Sequence, residues 1–277
     1  MIDGEELEGY SAGIVPPYIE QAHDEMAFSC KLEYTDLLSP QRYEYHTKAQ
    51  KQLVEKCHEY VAQRLGGTNG DGSGKALLMV THPFYEDAMR EAGERDEAEG
   101  TYQERLAAYE DNLQKLLSEI DRDRFDVVLL EVPEHFAYPG SRSRQLVDEH
   151  LVDDVVFTHY SEGSLLKDEV ERVVSGYDAY LVAGAYGEYC AQASLDTVPP
   201  DGTDRRYAVT DALLSYEHLH NDEDPLRSMA LSYDDTEGFT CVDEVLSDKL
   251  DLDTGKVTGR ERGFARALKK AQEWAED

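Results

Sequence analysis

The sequence predicts an α/β fold: a three-layer, doubly wound sheet, mostly parallel, with an N-terminal helical extension. Short, nearly continuous apolar runs recur from residue 76 onward, among them "ALLMV", "DVVLLEV", "DVVFTH" and "DAYLVAGA". Strands read this way when helices cover both faces of a parallel sheet. Charged stretches with helical spacing separate them, too long for hairpin turns. The length of 277 residues allows one large domain with extensions, because single cores stop growing above roughly 250 residues.

Residues 1–75 read as an N-terminal arm, a long helix and a Gly-rich linker. The first 38 or so are polar and broken by "VPPY". Ser39 and Pro40 then form an N-cap and first-turn pair. Tyr43, Ala49, Leu53, Cys57, Tyr60 and Leu65 follow at near-helical spacing, which predicts a helix of six or seven turns. It ends in "GGTNGDGSGK", 66–75. That tract fails as a phosphate loop: Asn69 replaces the first glycine, Ala76 replaces the Ser or Thr, and a strand follows instead of a helix. A flexible linker is the better reading.

Residues 76–216 carry the alternating core. "ALLMV" (76–80) is the first strand, and a charged helix over approximately 86–119 follows, with a break expected near Gly93 or Gly100. "DVVLLEV" (126–132) and "DVVFTH" (154–159) are the second and third strands. "LLKDEVERVVSG" is a helix closed by Gly176. "DAYLVAGA" (178–185) is the fourth strand, "EYCAQASLDTV" a helix, and "YAVTDALL" (207–214) the fifth strand. In the C-terminal extension, 217–277, "FTCVDEVL" (239–246) fits either a sixth strand or a short helix, "HLHNDEDPLRS" reads as a surface loop, and "GRERGFARALKKAQEWAED" is a terminal helix expected to pack on the core.

Fifty-nine acidic residues against 27 basic ones give a net charge of −32, spread along the chain. The pattern resembles that of salt-in halophiles: at molar salt the Debye length falls to about 3 Å, so a carboxylate surface hardly repels itself. Nucleic-acid binding is not expected, since counterion release needs clustered Lys and Arg, and the basic groups at Arg142 and Arg144, at Arg205 and Arg206, and in "RALKK" read as helix ends or loops. The four cysteines lie far apart with no Cys-x-x-Cys, which argues against a disulfide framework or zinc ribbon. The N-terminus does not read as a signal peptide, and no apolar run approaches the 18 or so residues of a spanning helix. A cytoplasmic, reduced protein, acting on a small molecule as a homo-oligomer, is the expectation.

Ligands of open α/β sheets bind beyond the carboxyl ends of the strands, and the histidines gather there. Thr81 and His82 follow the first strand, Glu134 and His135 the second, Thr158 and His159 the third, and Cys190 the fourth, although the chain has only nine histidines. A thiol at a helix start, next to an imidazole, is the chemistry of a cysteine nucleophile. The same residues read differently as His82, His135, His159 and Glu134 holding a divalent metal. They also read as strand caps around a small buried cysteine.

The run "DVVFTHYSEGSLLKDEVERVVSGYDAYLVAGAYGEYCAQASLDTV…YAVTDALLS" resembles the isochorismatase-like cysteine hydrolases, which include nicotinamidase. Gly184 and Cys190 keep the family's six-residue spacing between strand glycine and cysteine, Ser161 matches its serine segment after the third strand, and Asp211 lies in its "V-x-D-A" strand. The resemblance covers approximately 76–216. It implies Cys190 as nucleophile and a substrate pocket that includes Thr81, His135, Thr158, Gly184 and Tyr186. Thr81 stands where the family has its catalytic aspartate, and Thr158 where it has its lysine. The base is therefore expected to be His82 or His159, with backbone N–H groups of residues 188 to 190 facing the oxyanion. This reading is a divergent hydrolase of an amide or related bond, with no cofactor. Loss of catalysis, leaving a binding or scaffold protein, is the main alternative, and a His-ligated metal hydrolase is the other.

The charge makes the first prediction. The thermal midpoint should rise from dilute buffer to molar potassium chloride; a midpoint indifferent to salt would remove the halophilic reading.

Overall fold

A computed structural model describes residues 53–65, 74–91, 100–138, 140–157, 173, 176–196, 198, 205–221 and 237–247. Helix α1 (53–64) comes first, followed by β1 (Ala76–Thr81), α2 (Tyr85–Glu91), α3 (Gly100–Glu119), β2 (Phe125–Glu131), α4 (Pro133–Ala137), α5 (Arg142–Asp148) and β3 (Asp154–Phe157). Then come β4 (Ala179–Ala185), a π-helical turn (Gly187–Ala191), α6 (Gln192–Asp196), β5 (Arg206–Leu214), α7 (Tyr216–Asn221), β6 (Glu237–Thr240) and α8 (Val242–Leu246).

The six strands form one sheet in the order β3-β2-β1-β4-β5-β6, and every neighbouring pair is parallel. Alternate residues of β1 explain the layers. Ala76, Leu78 and Val80 face a core shared with Leu53, Cys57, Val61 and Leu65 of the α1 region and with Leu106, Leu113 and Leu117 of α3. Leu77 and Met79 face a second core with Val173, Ala191 and Leu195. Each fully buried Leu or Met contributes about 1.5–3 kcal/mol of apolar transfer. The sheet therefore has no wet face, which is why its strands read as continuous apolar runs.

Several boundaries differ from the sequence reading for identifiable reasons. The long charged helix is described as two, α2 and α3, as a break near Gly93 or Gly100 allows, and Gly100 opens the second at φ +57°, a value that suits glycine. "FTCVDEVL" is both candidates in turn: β6 extends the sheet past residue 216 and α8 follows at once. "EYCAQASLDTV" begins as a wider π turn before becoming α-helical. The helical spacing of α1 continues the pattern of 41–52, which lies outside the described residues. So do the arm, residues 66–73 of the linker, nearly all of "LLKDEVERVVSG" and the terminal helix.

The order of strands reverses between β1 and β4, so the crevice for a ligand opens at their carboxyl ends. Here the two backbones nearly touch. Gly184 pairs with Thr81, has φ +114°, and a Cβ on it would lie 1.9 Å from the Thr81 carbonyl oxygen. Beyond this point β5 slips: Val182 pairs with Ala208 but Gly184 with Leu213. The bulged residues are put to use, since Asp211 accepts from the Val242 N–H at 2.8 Å and so caps α8, while Asn112 of α3 donates to the Asp211 carbonyl at 3.0 Å.

Gly184→Ala should cost more than about 3 kcal/mol, because both the conformation and the space forbid a side chain. A chemical denaturation midpoint equal to that of the parent would contradict the β1–β4 geometry.

Candidate functional site

Glu131, the last residue of β2, is the centre of the site. It is 1% exposed, and a carboxylate removed from water must be paired. Its Oε1 lies 3.0 Å from His82 Nδ1, accepts the Val132 N–H at 3.0 Å, and lies 3.6 Å from His135 Nδ1; its Oε2 accepts from the Ser143 hydroxyl at 2.5 Å. Ser143 reaches it because α5 begins at a Ser141 cap that accepts the Arg144 N–H and donates its own hydroxyl to the His135 carbonyl at 2.7 Å. The sequence reading put Arg142 and Arg144 at a helix end; Arg142 indeed opens α5 and pairs with Asp87 at 2.8 Å and Glu110 at 2.7 Å.

His82 leaves β1 with φ +40°, a left-handed turn that histidine adopts more readily than most residues. Its N–H donates to the Leu130 carbonyl at 2.9 Å, which binds the turn to β2. The ring is 3% exposed, is bonded to Glu131, and lies within electrostatic reach of the Cys190 side chain. Cys190 is a free, half-buried thiol. Carboxylate, imidazole and thiol thus come together from the end of β2, the end of β1 and the turn after β4.

Burial opposes a charge on His82, but its electrostatic interactions with Cys190 and Glu131 outweigh that penalty and raise its pKa from 6.5 to about 10. Burial likewise opposes the Glu131 carboxylate, and the hydrogen bonds from His135 and His82 overcome it, lowering its pKa from 4.5 to about 2. Both partners carry charge at neutral pH.

The cysteine turn is tied down from two sides. Thr81 is buried; its hydroxyl lies 3.0 Å from that of Ser194, which in turn donates to the Cys190 carbonyl at 2.7 Å. The carboxylate of Glu188 accepts from the Ser215 hydroxyl and, at 3.1 Å, from the Tyr216 N–H. The Ala185–Tyr186 peptide is cis. Of the three N–H groups expected to face an oxyanion, that of Tyr189 donates to the Tyr186 carbonyl at 3.1 Å.

Of the residues singled out by sequence, His82, His135 and Cys190 converge on or beside Glu131. Thr81 and Gly184 form the floor beneath the cysteine turn, and Tyr186 starts that turn. Thr158, His159 and the Glu134 side chain lie outside the described residues. Among the described residues, no group of three His, Cys, Asp or Glu side chains could hold a metal ion, and no helix is long and apolar enough to cross a membrane. The sequence reading does not single out Glu131, although an acid directly after the apolar run Val127–Leu130 is a visible signal. It also left His218 and His220 in a surface loop; they lie on α7, where His220 stacks on Tyr216 at 4.4 Å and faces Tyr186 at 6.4 Å.

No protein-family model matches the chain, and no curated protein does. Among solved structures it is similar to a candidate MAR1 ribonuclease of Leishmania major (15% identity over 74% of this chain and 96% of that one, TM-score 0.40). It is also similar to the Escherichia coli YcaC product, an octameric hydrolase of unknown specificity (13%, 72% and 88%, TM-score 0.38), and to a MAR1 ribonuclease of Caenorhabditis elegans (12%, 72% and 90%, TM-score 0.36). Likeness at this level says nothing about activity.

The charged pair has a pH signature. Its His82 share is complete below about pH 6.5 and is lost as pH rises toward 10; its Glu131 share is complete above about pH 4.5 and is lost as pH falls toward 2. Stability should therefore decline above pH 6.5 in the parent, and more steeply than in His82→Gln. Identical slopes would remove the pair. Glu131→Leu, which strands the imidazolium, should cost about 3–5 kcal/mol.

Proposed function

We propose that the chain is a divergent isochorismatase-like hydrolase that cleaves an amide or related bond of a small molecule through a thioester on Cys190. The observation that carries this reading is the buried pair of Glu131 and His82, 3.0 Å apart, within electrostatic reach of Cys190 at the crevice where the strand order reverses.

In this scheme the His82 imidazolium is paired with the Cys190 thiolate, and the sulfur attacks the carbonyl carbon. Glu131 orients the ring and balances the imidazolium, as the acid does in other nucleophile, histidine and acid arrangements. As the tetrahedral adduct collapses, the imidazolium gives its proton to the departing nitrogen, leaving an acyl thioester and an amine. Water then adds to the thioester and gives a proton to His82, and the carboxylic acid product leaves as the thiolate departs, which restores the thiolate and imidazolium. A ring that holds its proton through neutral pH is ready for the donating half of this cycle. His135 and Ser143 hold the carboxylate in place without touching the reacting atoms. The acid comes from β2, so replacing the first-strand aspartate with Thr81 does not leave the thiol without a charge relay partner.

Cys190 in the folded protein should react with iodoacetamide faster than an unfolded thiol at neutral pH in high salt, and a rate no faster would sink the nucleophile. Against a panel of small amides, Cys190→Ala should abolish turnover. His82→Gln should lower kcat by about 10²–10⁴-fold, and Glu131→Gln should lower kcat with little change in KM. An unchanged kcat in Glu131→Gln would exclude the acid from the mechanism.

A further inference from the structure

Beside the thiol, the carboxyl edge carries a second cluster for which the hydrolytic scheme has no use. Tyr186 is 7% exposed. Its ring packs edge-on to Tyr85 at 5.3 Å and to Tyr216 at 5.2 Å, with His220 at 6.4 Å. His220 in turn meets Tyr102 at 5.5 Å. At the base of these rings lies Glu86, 1% exposed, which accepts the Tyr102 hydroxyl and has Oε1 3.7 Å from His220 Nε2. Tyr189, the residue before the nucleophile, is 52% exposed and lies against Tyr216 at 6.0 Å, so the cluster reaches both solvent and the cysteine turn.

Two buried polar atoms in this cluster, Tyr186 Oη and His220 Nε2, make no hydrogen bond among the described residues. Buried polar atoms are almost always bonded, and an exception calls for a guest. The chemistry of the walls selects that guest. Tyrosine faces attract positive charge, and a buried carboxylate does so more strongly. Glu86 Oε1 and Tyr186 Oη can both accept hydrogen bonds, and an alkylammonium brings three N–H donors. A carboxylate guest would meet Glu86 charge against charge, and an apolar one would leave both atoms unbonded. A chain of net charge −32 also draws cations toward it.

We propose that Tyr186, His220 and Glu86, with the rings of Tyr85, Tyr102 and Tyr216, form a recognition subsite for a primary ammonium group. The substrate is then an amide that carries an aliphatic amine; this last step rests on the hydrolase reading, whereas the subsite itself does not.

Calorimetric titration of the full chain with n-propylammonium chloride, in the parent and in Cys190→Ser, separates the two. Both proteins should bind the ammonium alike, and n-propanol should bind at least about tenfold more weakly. Tyr186→Phe keeps the ring and removes only the hydroxyl; it should weaken binding about tenfold. Glu86→Gln should weaken it further, and tetramethylammonium, which has no N–H donor, should bind less well than propylammonium. Equal binding of propanol, or an unchanged affinity in Tyr186→Phe, would overturn the subsite. Ammonium binding with an inert Cys190 would instead keep the subsite and discard the hydrolase, while a reactive Cys190 with no ammonium binding would do the reverse.

Discussion

The contact on which the rest of the site depends is the approach of two backbones, Gly184 against Thr81. Only a residue without a Cβ lets β4 close on β1 at its carboxyl end. That closure sets the reversal of strand order and brings the turn after β4 over the end of β1. The Thr81 hydroxyl then holds Ser194, and Ser194 holds the Cys190 carbonyl. The cysteine turn is held over the end of β1 because each of these steps is short. A slip of one residue between β1 and β4 would turn the alternating side chains to the wrong layers and move the thiol away from the imidazole.

The placement of charge follows an economy opposite to that of the surface. Acidic residues in water cost little and are scattered freely along the chain. Glu131, out of water, is surrounded by a ring nitrogen, a backbone N–H, a hydroxyl and a second imidazole. Its partner His82 is held charged by Cys190 and by this carboxylate together. A buried pair like this adds little net stability over an apolar pair of the same shape, so its presence at a strand end is better explained by chemistry than by folding.

The layered sheet could be read from the sequence because its physical cause is local: a strand buried on both faces must be apolar along its length. The same logic placed Cys190 and His82 at one edge. Glu131 was hidden by that logic, since "DVVLLEV" reads as one strand and the eye passes over an acid inside it; what distinguishes Glu131 is its partner across β1, which no spacing within β2 reveals. The resemblance directed attention to the first strand for an acid, whereas the structure draws it from the second. His220 was unreadable for a related reason. Its neighbours Tyr186, Tyr102 and Glu86 come from three distant segments, and only the packing of α7 over the strand ends joins them.

Glu188 lies two residues before Cys190, yet its carboxylate holds Ser215 and Tyr216, at the start of the helix that carries His220. Seen as a linkage, this carboxylate is a tie rod between the cysteine turn and α7. A shift of α7 pulls on Glu188, and the turn bearing the sulfur is at the other end. The position of that turn is thus not a property of β1 and β4 alone, but is set in part from α7.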